Sequence, residues 1–98
     1  MEYKVLVTDE FEEWLEAETA RSRFQIAKRM ENIKSEGHFG DHKLVRDRIW
    51  ELKWDNGRRI YYCLIPTSNV LLLLGGNKNG QTKDINKAEK IYKEWIDD

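Results

Sequence analysis

Arg59, Lys53, Lys78 and Glu51 are the side chains of this chain best suited to chemistry, and they sit in a stretch that otherwise reads as β-strand. A plain core strand would carry no cations there. Successive strand side chains point to opposite faces, so Trp50, Leu52, Trp54, Ile60, Tyr62 and Leu64 form one apolar set for the core. Glu51, Lys53, Arg59, Tyr61 and Cys63 share the opposite face. The planar fork of an arginine can hold two phosphate oxygens and never loses its charge. A lysine among other cations can move a proton, because its neighbours lower its pKa. Such a face suits an anion, with RNA phosphate the leading ligand. The ordinary alternative is an exposed antiparallel face with cross-strand charge pairs such as Glu51 with Lys53 or Arg59.

Other groups extend or compete with this set. Arg46 and Arg48 share a parity on the preceding strand and could widen the patch. Lys78 follows Gly75-Gly76, where missing Cβ atoms let a backbone come close to a ligand. Asp84 reads first as a first-turn helix acid. His38 and His42 titrate near neutrality and could transfer protons, though no partner is visible for either. Cys63 reads as a packing residue, and as the lone cysteine it can form no internal disulfide.

The elements that must position these residues follow from pattern. Tyr3 to Val7 alternates as a strand, and Thr8 and Asp9 cap a helix, with Glu12 in capping-box spacing. Phe11, Trp14 and Leu15, then Ala20, Phe24, Ala27, Met30 and Ile33, give helical stripes broken near residue 18. Gly37 and Gly40 end the helical region. Strands follow at Lys43 to Arg48, Ile49 to Trp54, Arg58 to Ile65 and Asn69 to Gly75, with turns at Asp55-Asn56-Gly57 and Pro66-Thr67-Ser68-Asn69. The unalternating Val70 to Leu74 run reads as an interior strand covered on both faces. Thr82 caps a last helix whose stripe is Ile85, Ala88, Ile91, Tyr92, Trp95 and Ile96. The order is β-α-α-β-β-β-β-α, in one α+β domain over residues 1–98.

Ninety-eight residues suit a single core. No apolar stretch approaches the roughly 20 residues a bilayer requires, and the N-terminus lacks a signal-peptide layout, so a cytoplasmic location with no membrane partner is expected. With one cysteine and two histidines a structural metal is not expected. The net charge of −1 hides a polarity: residues 1 to 20 hold seven acids against one lysine, and the rest carries the basic excess. Screening confines surface charges to about 8 to 10 Å, so an acidic helix does not cancel a basic face elsewhere.

Phe11-Glu12-Glu13-Trp14-Leu15, Gly40-Asp41-His42-Lys43, Trp50-Glu51-Leu52-Lys53, Gly57-Arg58-Arg59-Ile60-Tyr61-Tyr62, Leu73-Leu74-Gly75-Gly76-Asn77-Lys78, Gln81, Asp84-Ile85 and Ala88 together resemble the RelE/ParE superfamily. More narrowly they look like its HigB-like addiction module killer branch. The resemblance implies a RelE-like toxin fold with the helices packed on one side of a mostly antiparallel sheet and a concave basic face on the other. It also implies a type II toxin-antitoxin system with a helix-turn-helix antitoxin as partner. Toxins of this type cleave mRNA on the ribosome without a metal or cofactor, and the free toxin is expected to be monomeric. By position Arg59 matches the family's strand arginine, Lys53 the basic residue after Glu-Leu, Lys78 the loop lysine and Glu51 the acidic position. Lys43 matches a recurrent basic position and, with Arg46, Arg48, Arg58 and Tyr61, is assigned to RNA binding. Metal-independent cleavage needs a base for the 2′-hydroxyl, for which Glu51 and either histidine are candidates, charge on the phosphate, and an acid for the leaving oxygen. A ParE-like inhibitor of DNA gyrase and an inactive antitoxin-binding module share the architecture.

Overall fold

The computed structural model describes residues 2–66 and 69–97. The elements are β1 (Lys4–Val7), α1 (Asp9–Glu16), α2 (Ala20–Glu36), β2 (His42–Arg46), β3 (Ile49–Lys53), β4 (Arg58–Leu64), β5 (Asn69–Asn77), a 3-10 turn at Lys78–Gly80, and α3 (Gln81–Asp97). This is the α+β order read from the sequence. The strands form one sheet in the order β1-β5-β4-β3-β2, antiparallel throughout except that β1 runs parallel to β5. Thr67 and Ser68 of the expected turn lie outside the described residues.

Local chemistry explains the helix bounds. The Thr8 side chain accepts a hydrogen bond from the Phe11 N–H at 3.0 Å, satisfying one of the donors a helix start leaves free. Thr19 does the same for Ser22 at 3.1 Å, so the chain starts a second helix after the break at residues 17–19. Gly37 ends α2 in the left-handed conformation. Asn77, not Thr82, caps the last helical segment: its Oδ1 accepts from the Asn79 N–H at 2.9 Å, and Thr82 lies inside α3.

Two cores lie back to back on the sheet. On one face Phe11, Ile26, Met30 and Ile33 of α1 and α2 pack on Leu52, Ile60, Tyr62, Val70 and Leu72. On the other, Ile85, Ala88 and Ile91 of α3 pack on Ile49, Tyr61, Cys63, Leu71, Leu73 and Leu74. The helices therefore flank both sides, which corrects the one-sided arrangement expected from the resemblance. The reason is the β5 run itself: strand residues apolar on both faces need cover on both, and α3 supplies the second layer.

Two other expectations change. Ala20, Phe24 and Ala27 lie outside the core, Phe24 being 71% exposed, because α2 buries Ser22, Ile26, Met30 and Ile33. Trp95 and Ile96 are also exposed, at the far end of α3, as is Leu64 at the end of β4. Among the described residues no helix is long and apolar enough to cross a membrane.

Candidate functional site

Strand register sets the site. Lys53 pairs with Arg59, and Arg59 with Gly76, making one row across β3, β4 and β5. The next row is Lys43, Glu51, Tyr61 and Leu74. By alternation both rows face the α3 side, where Tyr61 and Leu74 join the α3 core. The shared face inferred for Glu51, Lys53, Arg59, Tyr61 and Cys63 is thus real, but α3 covers part of it. Tyr61 and Cys63 are buried beneath the helix. The open part carries Lys53, Arg59 and the exposed Lys43.

Glu51 organises this corner from below. Its carboxylate is fully buried; Oε2 accepts from Gln81 Nε2 at 2.6 Å, and Oε1 lies 3.5 Å from Arg59 Nε. Arg59 NH1 also donates to its neighbour's Arg58 carbonyl at 3.1 Å. The guanidinium is held at the edge of the site with 11% of its side chain exposed. Glu51 Oε1, Arg59 Nε and Tyr61 Oη are buried without a hydrogen-bond partner among the described residues. Burial, and then the nearby Glu51 carboxylate, push the Tyr61 phenol far above its ordinary pKa, so it keeps its proton. Glu51 Oε1 and Arg59 Nε face each other as an ion pair whose geometry falls short of a hydrogen bond, and a buried charge of either kind is tolerable because the other stands beside it.

The paired glycines serve the protein's own side chains. A Cβ on Gly75 would run into the indole of Trp14, and one on Gly76 would run into the Asp84 carboxylate. Asp84, in the first turn of α3, thus stands over the strand position paired with Arg59. Burial raises its pKa, opposed by Lys83 and Lys87. Lys78 is exposed; its N–H donates to the Gly57 carbonyl at 2.8 Å and its aliphatic stem passes over that glycine.

The remaining candidates go elsewhere. Arg46 NH1 donates to Asn86 Oδ1 at 2.6 Å and reaches Glu89 at 3.3 Å, and Arg48 donates to the Tyr92 hydroxyl at 3.4 Å, so both hold α3 rather than widen an open patch. A bulge at Leu44/Arg46 and a left-handed Arg48 (φ 66°) break their shared parity. Arg58 faces the α2 side, where it donates to Gln25 at 3.0 Å and lies over Trp54. His42 belongs to that side too, in tilted ring contacts with Phe39 and Trp50, and His38 lies in the loop after α2. Neither histidine meets Arg59, and buried Glu51 is a support rather than a reachable base. Asp84, read from the sequence as a helix acid, is the carboxyl group that stands beside the site. Only its position over Gly76 reveals this, and no sequence signal carries it. Among the described residues no group of three or more His, Cys, Asp or Glu side chains could hold a metal ion.

A family model described as Phage derived protein Gp49-like (DUF891) matches residues 9–95. An "Uncharacterized protein" of Haemophilus influenzae is 35% identical over 97 residues, covering 96% of this chain and 97% of the relative. Among solved structures, an E. coli RelE toxin mutant in the free state superposes with a TM-score of 0.73 at 16% identity, over 92% of this chain and 97% of that one. The RelBE2 toxin-antitoxin complex of Mycobacterium tuberculosis gives 0.64 at 16% identity, over 79% and 99%. The intact E. coli RelBE toxin-antitoxin complex gives 0.64 at 15% identity, over 76% and 95%. At these identities the likeness to the solved structures is one of fold.

Proposed function

This chain belongs to the Gp49-like family and has the RelE fold, and from that premise we propose that it is the toxin of a type II toxin-antitoxin system, cleaving mRNA on the ribosome. The observation that carries the reading is the Lys53–Arg59 row, backed by a buried carboxylate at 3.5 Å and overlooked by Asp84. A plain structural sheet has no use for a desolvated arginine whose fork is aimed by Glu51. A site for an anionic transition state does, because preorganised charge there lowers the barrier without reorganising.

In the reaction, Asp84 takes the proton of the 2′-hydroxyl and the 2′-oxygen attacks the adjacent phosphorus. Arg59 and Lys53 hold the non-bridging oxygens as their charge grows. The bond to the 5′-oxygen breaks, that oxygen takes a proton from Lys53 or Lys78, and a 2′,3′-cyclic phosphate remains. Lys43 binds flanking backbone. Glu51 and Gln81 are positioning residues that act through Arg59. A helix-turn-helix antitoxin is the partner that keeps the toxin in check, and the motifs that resemble the HigB-like branch support that branch for this chain.

The test is induction of the wild type and of Arg59→Ala in cells, following growth and mapping mRNA ends by primer extension. Arrest with new mRNA ends that vanish in the variant is the expected result. Arrest with intact mRNA would overturn the nuclease and point to gyrase or another protein target. Harmless expression would mark an inactive antitoxin-binding module.

A further inference from the structure

We propose that a cleft on the opposite face, between α2 and the end of β3, is a second RNA site that binds backbone phosphate away from the scissile one; this rests on the RNA reading above. Its floor and walls are Gln25, Lys28, Arg29, Asn32, His38, Gly40 and Trp54. Among the described residues no carboxylate lines it.

Arg29 carries the argument. Its guanidinium lies over the Trp54 ring, 4.1 Å from the centroid, and NH1 donates to the Lys53 carbonyl at 2.7 Å. That fixes the plane of the fork. The Nε and NH2 edge faces Gly40, a left-handed residue (φ 74°), at which a Cβ would sit 3.1 to 3.2 Å from these nitrogens. Neither nitrogen has a hydrogen-bond acceptor, and Arg29 forms no salt bridge, among the described residues. Burial pulls its pKa below the usual arginine value, and Asp41 and Asp55 offset this only from a distance. A half-buried cation held in one plane, with an unused pair of donors open at the cleft, is preorganised to take two oxygens of an anion. Lys28 and His38, both exposed, supply further donors at the rim.

Phe24 decides what kind of anion. It precedes Lys28 by four residues, so the two are neighbours on one helix face. Its ring is 71% exposed, flanked by the exposed Arg21. A bare aromatic ring beside cations is what single-stranded RNA uses, with a base stacked on the ring and its phosphate on the charge.

The experiment is fluorescence anisotropy with a short labelled RNA whose 2′-O-methyl riboses block cleavage, titrated at several salt concentrations. Lys28→Glu, an exposed position that leaves the fold alone, is expected to weaken binding about tenfold. It should also flatten the log-log salt plot by about 0.7 for each phosphate that the protein no longer neutralises. Arg29→Gln should do the same, with melting curves confirming that it folds. Phe24→Ser should weaken binding by about fivefold or more with the salt slope unchanged. Wild-type affinity and slope in Lys28→Glu and Phe24→Ser would overturn the proposal, as would a wild type that binds no RNA. Polyglutamate displacing the RNA at equal charge concentration would assign the cleft to an acidic peptide instead. Dimerisation through Phe24 in sedimentation would assign it to a second copy. The two readings fail separately. A wild type that cuts no RNA yet binds it through Lys28 and Phe24 sinks only the nuclease; intact cleavage with unchanged Lys28→Glu binding sinks only this cleft.

Discussion

Asp84 bears a folding cost that its role would explain. Burial holds its carboxyl pKa above the ordinary carboxylate range, so the folded chain binds this proton more tightly than the unfolded chain does. Its ionisation therefore costs stability as pH rises from the unfolded pKa through the folded one, and the cost persists above both. Asp84→Asn should raise the melting temperature slightly at neutral pH while lowering RNA cleavage by about 10² to 10⁴. The acidic limb of the cleavage profile, which in the wild type rises through the elevated Asp84 pKa, should disappear in the variant. An unchanged limb would remove Asp84 from the reaction. That Arg59, Lys53 and Glu51 share one face is legible from alternation. The place of Asp84 is not, because an acid in a first helical turn looks the same whether or not a glycine strand lies beneath it.

At the scale of elements, strands and turns could be read nearly to their ends, since Asn56-Gly57 and the alternation in β3 and β4 are local signals. The face of α2 could not. Phe24 advertises an apolar stripe, whereas the buried one passes through Ser22, which gives no such signal; its hydroxyl donates to Glu18 at 2.7 Å. The side taken by α3 was equally hidden, because a strand apolar on both faces does not say which helix covers which; Arg46 and Arg48 brace the docked helix at Asn86, Glu89 and Tyr92. Cys63 gives a direct reading of that docking, since burial pushes its thiol up to about 11 and keeps it unreactive. Arg46→Ala removes a partly exposed ion pair of the class worth about 0.2 to 1 kcal/mol. It should speed native-state alkylation of Cys63 a few-fold; an unchanged rate would mean that the apolar stripe alone holds α3.

For the whole molecule, the decisive feature is that both cores share β4 and β5. Neither helical layer can leave without exposing a strand that the other layer also needs, so the chain should unfold in one step. Tryptophan fluorescence reports mainly the α1/α2 side, through Trp14, Trp50 and Trp54, and Cys63 accessibility reports the α3 side. Their denaturant midpoints should coincide; separated midpoints would show two independent units. The sheet also contains a point at which its phase is set. Tyr61 pairs with Leu74 but Tyr62 pairs with Leu72, so Leu73 is an extra residue in β5. Because of it Leu73 and Leu74 both join the α3 core, Gly75 falls under Trp14 and Gly76 under Asp84. Losing that one leucine would leave Leu72 and Leu74 in regular alternation opposite Tyr62 and Tyr61, so the later β5 residues would keep their sides while the α3 core lost a side chain. The length of this monotonous apolar word thus encodes how much hydrophobic filling the strand supplies beneath its last helix.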